Sequence, residues 1–167
     1  MLRLAAAVVV ALGLLVAPGA SGQSPPPAFD RGEPDSSITD GSAQRRLDEA
    51  RRHWRRVGIH NYRFEVNVLC FCVTRGPVVV FVRGDRPVDP PERMRDIATI
   101  RRLHRVVQRA IDRNVPALSV RYDRRGVPRA ISIDNVKQAI DDEVAYRVDH
   151  FWRGTKGRGG PDASASR

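Results

Sequence analysis

The sequence predicts an α+β fold: a two-layer sandwich with an antiparallel sheet of about five to six strands and two helices packed on one face, in the order α-β-β-(β)-α-β-β-β. Three observations lead there. Ser42 to Val57 and Thr99 to Arg113 each repeat apolar residues at intervals of three and four, the period of one helical face. Each is followed by strand-like segments joined by short turns, which favours antiparallel neighbours. Two amphipathic helices suffice to cover one face of a single sheet.

Ahead of the first helix the chain changes character twice. Met1-Leu2-Arg3 is a short positive start, Leu4 to Val16 is an apolar run, and Ala17 to Gly22 brings helix breakers and small side chains. That is the layout of a secretory signal peptide, with cleavage expected near Gly22. The run falls short of the roughly 20 residues a bilayer span needs. No later stretch is apolar enough, so no transmembrane segment is expected in the mature chain, which would be periplasmic or extracellular. Residues 23–41, with Pro25-Pro26-Pro27 and no apolar period, read as a disordered lead-in. Residues 42–153 read as one α+β domain and 154–167 as a disordered tail.

Within the domain, Leu47, Ala50, Trp54 and Val57 form the stripe of the first helix, with Asp40 or Ser42 to cap it and Gly58 to end it. Tyr62, Phe64, Val66, Val68, Cys70 and Cys72 then alternate with a more polar set, which puts them on one face of a long strand. Val78 to Arg83 reads as a strand of the buried kind. Arg86-Pro87-Val88 can give only a short edge strand, because proline lacks a ladder donor. The second helix buries Ile100, Leu103, Val107, Ala110 and Ile111, capped by Asp96 or Thr99. Leu118, Val120 and Tyr122 alternate on a strand. Asp123 to Pro128 is a hairpin loop with turn-favouring Asp and Gly, and Ala130 to Asp134 returns. In the last strand, Val144, Tyr146, Val148 and His150 are expected on one face, and Ala145, Arg147, Asp149 and Phe151 on the other.

The chain has 167 residues and a net charge of +10, and all of its 29 basic residues except Lys137 and Lys156 are arginine. The charge suits anionic partners, although a general preference for Arg over Lys also follows from GC-rich coding. Export argues against nucleic acid, and neither zinc-finger spacing nor an RNA-binding aromatic motif is present. Arg51, Arg52, Arg55, Arg101, Arg102 and Arg105 are the candidate basic surface, since both helices carry arginine off their apolar stripes. Those side chains could equally just cover the helices with their aliphatic stems.

Cys70 and Cys72 are the only cysteines, and an even number in an exported chain favours a disulfide. Two strand residues that far apart place their Cα atoms roughly 6.6–6.8 Å apart, at the outer limit for a bridge, so a bulge at Phe71 would be required. Two reduced thiols packed in the core, or a redox-active or Cu(I)- or Zn-binding pair, are the other readings. No histidine has metal-ligand spacing to the pair, and no cofactor is expected. Asp134, Asp141, Asp142 and Glu143 form a candidate acidic cluster, read either as a cation or acid–base site or as a turn whose acids pair with arginine. No nucleophile elbow, phosphate loop or His-Glu zinc motif appears, which lowers the expectation of catalysis.

The motif order carries a resemblance. Trp54, Tyr62-Arg63-Phe64, Cys70-Phe71-Cys72, Val120-Arg121-Tyr122-Asp123 with Gly126 and Pro128, Ile131-Ser132-Ile133-Asp134 and Asp141-Asp142-Glu143-Val144 resemble a family of small exported bacterial proteins known only as a domain of unknown function. The resemblance implies the same layout and export, and no activity. The expectation is therefore an exported, monomeric, non-catalytic domain that binds a protein or an anionic envelope polymer or lipid. The alternative is a thiol or metal site at Cys70 and Cys72.

Overall fold

Polarity alternates along Tyr62–Cys70, and that alternation decides which side of the sheet is dry. In a computed structural model that describes residues 32–70, 76–136 and 143–155, Tyr62, Phe64 and Val66 are buried while Arg63, Glu65 and Asn67 are half-buried. The expected signal peptide, residues 23–31 of the lead-in, residues 156–167 of the tail, Cys72, Asp141 and Asp142 lie outside the described residues.

Six strands form one antiparallel sheet, so the fold is α+β. They are β1 (Tyr62–Cys70), β2 (Val78–Arg83), β3 (Arg86–Val88), β4 (Ala117–Tyr122), β5 (Pro128–Asp134) and β6 (Glu143–Arg153), in the order β3-β2-β1-β6-β5-β4. Two meanders, β1-β2-β3 and β4-β5-β6, therefore meet at a central β1–β6 seam. The helices are α1 (Ser36–Thr39), α2 (Ser42–Val57) and α3 (Ile100–Asp112), with a 3-10 turn at Glu92–Ile97. Leu47 and Trp54 of α2 and Ile100, Leu103 and Val107 of α3 share one core with Tyr62, Phe64, Val80, Val82, Ile131 and Ile133 of the sheet. Burial of such side chains is the main stabilising contribution, about 1.5–3 kcal/mol for each large one. Among the described residues no helix is long and apolar enough to cross a membrane.

Four expectations need correction. The segment before α2 is not wholly unstructured: the Asp35 carboxylate accepts N–H bonds from Ser37 at 2.8 Å and Leu118 at 3.0 Å, which ties α1 to β4. The N-cap of α2 is neither Asp40 nor Ser42 but Gly41, in a left-handed conformation, while the Asp40 side chain accepts from Ser42 N at 2.7 Å. Strand β2 is buried on one face only, with Val79 41% and Phe81 38% exposed. An apolar run reports hydrophobicity but not whether a layer exists to cover both faces. Last, simple alternation fails in β6. Phe64 pairs with Phe151 and Val66 with Val148, so β6 carries one extra residue there. This bulge exposes His150 and turns Phe151 onto Trp54 and Tyr62, at ring-centroid distances of 5.9 and 5.4 Å.

Candidate arginine cleft

Helical geometry brings residues i, i+3 and i+4 to neighbouring positions on one flank. Arg51, Trp54 and Arg55 of α2 have that spacing, and so do Arg101, His104 and Arg105 of α3. These six residues line one cleft of about 280 Å³. Local contacts fix both walls. The N–H of Ile100, at the start of α3, donates to the buried Tyr62 hydroxyl at 3.1 Å, and Thr99 Oγ1 accepts from Arg102 N at 3.1 Å. Trp54 meets the Tyr62 ring edge-on at 5.3 Å. A polar bridge joins the helices beside the cleft: Gln108 Oε1 accepts from Arg51 Nη1 at 2.8 Å, and Gln108 Nε2 donates to Gln44 Oε1 at 2.9 Å.

The four guanidinium groups are not equivalent. Arg51 is held by Gln108 and lies 3.4 Å from Asp48, and Arg101 lies 3.4 Å from Asp85, which also contacts His60 at 2.7 Å. Among the described residues no hydrogen bond or ion pair engages Arg55 or Arg105, and both are exposed. The described lining contains no carboxylate. Four cations facing one concavity raise the local potential and favour an anion there. Arginine's planar fork suits phosphate and carboxylate oxygens.

His104 is a cleft residue whose burial no local pattern marks. Its position among arginines on α3 suggests a solvated side chain, yet it is only 3% exposed. Its Nε2 lies 2.8 Å from the Gly126 carbonyl. A carbonyl can only accept, so the neutral ring carries its proton on Nε2. Burial is the main cause that pushes its pKa down to about 4, and the charges of Arg51 and Arg55 act in the same direction. The same field that disfavours an imidazolium favours a bound anion. Burial also pushes Tyr62 up to about 12, so its hydroxyl stays neutral.

Of the six arginines proposed from sequence, Arg51, Arg55, Arg101 and Arg105 converge on the cleft. Arg52 lies on the solvent side of α2, and Arg102 turns back to hydrogen-bond the Arg95 carbonyl. The readable signal was a repeated pattern, Arg51-x-x-Trp54-Arg55 and Arg101-x-x-His104-Arg105. The two described acidic candidates lie elsewhere in the fold: Asp134 sits opposite Glu143 at the β5–β6 end and accepts from Val136 N at 3.0 Å, a turn-forming role. Cys70 is half-buried at the end of β1, opposite Val144, and is not a free thiol. Among the described residues no group of His, Cys, Asp and Glu is placed to hold a metal.

Residues 46–153 match the family of unknown function DUF6174, and the chain belongs to that family. No curated protein and no solved structure matches the chain.

Proposed function

We propose that this chain is an exported, non-catalytic domain that holds an anionic component of the cell envelope in the arginine cleft between α2 and α3. One observation carries the reading: Arg51, Arg55, Arg101 and Arg105 face a single concavity whose described walls hold no acid, and among the described residues Arg55 and Arg105 have no hydrogen-bond or ion-pair partner. Exposed cations usually find acids or solvent at random, whereas these share one cleft at matched helical spacings. Titration with pyrophosphate and with a neutral sugar tests it. Binding of pyrophosphate alone is expected, weakened at least tenfold in Arg55→Gln/Arg105→Gln. Unchanged binding in that variant sinks the proposal.

Export rests on the layout of Met1 to Gly22, and N-terminal sequencing of secreted protein should begin near Gln23. A start at Met1 would overturn it. The finer architecture is proposed as two layers with α2 and α3 on one face, supported by the core they share with alternate sheet residues. NMR contacts from Trp54 and Leu103 to Phe64 and Ile131 are expected; contacts to Glu65 and Ser132 would reverse it. We also propose a local Cys70–Cys72 disulfide, motivated by the even cysteine count and the absence of a free thiol at Cys70. Alkylation without reductant should then leave the intact mass unchanged.

A further inference from the structure

The cationic surface does not stop at the cleft. Successive helical residues advance about 100°. Relative to Arg51, Arg55 lies at about 40°, Arg52 at about 100° and Arg56 at about 140°. The buried Ala50 and Trp54 occupy the opposite side. Arginines thus run from one flank of α2 over its crest to the other. On the far flank, Arg56 and His53 meet Arg124 of the β4–β5 loop around a second depression of about 240 Å³. Arg124 and His53 also line an adjoining hollow of about 450 Å³ with Arg46 and Arg121, and there the acids Glu49 and Asp123 offset part of the charge.

Arg105, Arg55, Arg52, Arg56 and Arg124 are all exposed, and among the described residues none has a hydrogen-bond or ion-pair partner. Like charges four apart on a helix, as in Arg51/Arg55 and Arg52/Arg56, destabilise it. A small anion in the first cleft would leave Arg52, Arg56 and Arg124 uncompensated. A flat anionic bilayer could meet the crest but not enter depressions on both flanks at once. A flexible chain with repeated negative groups could neutralise the whole band.

We infer that the ligand is a linear polyanion, with phosphate or carboxylate groups in repeat, that crosses α2 from the α3 cleft to the Arg56/Arg124 depression. The inference rests on the anion-binding reading above and adds the length and path of the ligand. A helix with its side chains is about 10–12 Å across, so a chain must exceed that length to engage both flanks. Two engaged sites on one chain act at high effective concentration, which raises affinity beyond the sum of the contacts.

The full mature chain should be titrated with triphosphate, with polyphosphates of increasing length, with polygalacturonate and with anionic vesicles. Once a polymer can cross α2, affinity should rise at least tenfold more than its added binding registers explain. Arg56→Gln/Arg124→Gln should abolish that gain and leave triphosphate affinity within about twofold, while Arg55→Gln/Arg105→Gln should weaken both. Preference for polyphosphate or for polygalacturonate identifies the repeated group; either supports the inference. It is overturned if affinity grows only with the number of registers, if the far-flank variant keeps the gain, or if vesicles bind and neither polymer does. Should triphosphate binding survive and still depend on Arg55 and Arg105 in those cases, the cleft reading stands without the polymer. All four positions are exposed, and an unchanged unfolding midpoint in each variant separates loss of binding from loss of fold.

Discussion

Two reverse turns in this molecule draw on the same residue chemistry and end with unequal weight. Gly84-Asp85 joins β2 to β3, and both residues hold positive φ, 55° and 65°, the two-residue geometry whose twist suits a hairpin. The turn is open: a Cβ at Gly84 would meet nothing within 4 Å. Its ties are N–H bonds from Gly84 to Asn61 at 2.9 Å and from Asp85 to the His60 carbonyl at 3.0 Å, and the Asp85 carboxylate contacts with His60 and Arg101. Partly exposed pairs of that kind contribute about 0–1 kcal/mol. The β4–β5 turn also uses Asp and Gly, and the Asp123 carboxylate accepts from Arg125 N and Val127 N at 2.9 and 3.0 Å. It folds inward instead. Val127 is fully buried, Gly126 presses on Ala50 of α2, and the Gly126 carbonyl receives His104 of α3. Residue type sets the backbone path of a turn, and what packs over the turn sets how much stability depends on it.

The largest test of that contrast is Gly126→Ala. Its φ of 82° disfavours any Cβ, and the added carbon would overlap the Ala50 carbonyl. Left-handed strain of about 1–2 kcal/mol and overpacking of about 1–3 kcal/mol predict a loss of roughly 2–5 kcal/mol in urea unfolding. A loss under 1 kcal/mol would mean the loop is not wedged between the helices.

Next comes acid. His104 takes up its proton near 6.5 when unfolded but only near 4 when folded. Between those values the unfolded state holds more protons, so stability falls as pH drops through this window, and the contribution of the neutral His104 ring is fully lost below it. The expected loss is on the order of 3 kcal/mol by pH 4. NMR titration should show the His104 ring neutral until about pH 4. A midpoint near 6.5 would show water reaching the loop.

Tyr122→Phe should act in the other direction. Among the described residues its hydroxyl is buried without a hydrogen-bond partner, beside His104 at a ring distance of 6.1 Å, and burial raises its pKa. Removing an unsatisfied hydroxyl should stabilise by up to about 1 kcal/mol. A clear loss in thermal unfolding would reveal a bonding partner and a tighter loop than described. Smallest is Gly84→Ala, with about 1 kcal/mol of left-handed strain and no overlap. A loss matching that of Gly126→Ala would erase the distinction between the turns.

Much of the framework was legible in sequence because it follows local periodicity. The bounds of α2, the Thr99 cap of α3, the short β3 edge and the buried even-numbered face of β1 follow from side-chain spacing and from Gly and Pro positions. The bulge in β6 was not, because nothing in Val148 to Phe151 marks where one residue must be left over; only pairing with Phe64 and Val66 does. The cleft was half legible: the arginines were in view, but Arg102 and Arg52 could not be sorted from Arg101 and Arg55 without knowing which flanks meet.

Sequence alone determined the alternation of elements, the signal-like start and the excess of arginine, because each depends on residues close together in the chain. The tertiary structure decided that His104 is dry, that Gly126 lies against a helix, and that four of the arginines look into one cleft. Those outcomes depend on contacts between segments far apart in sequence, chiefly the approach of α2, α3 and the β4–β5 turn. No local pattern encodes such a contact, since burial, field and exclusion of water arise only once those surfaces have closed on one another.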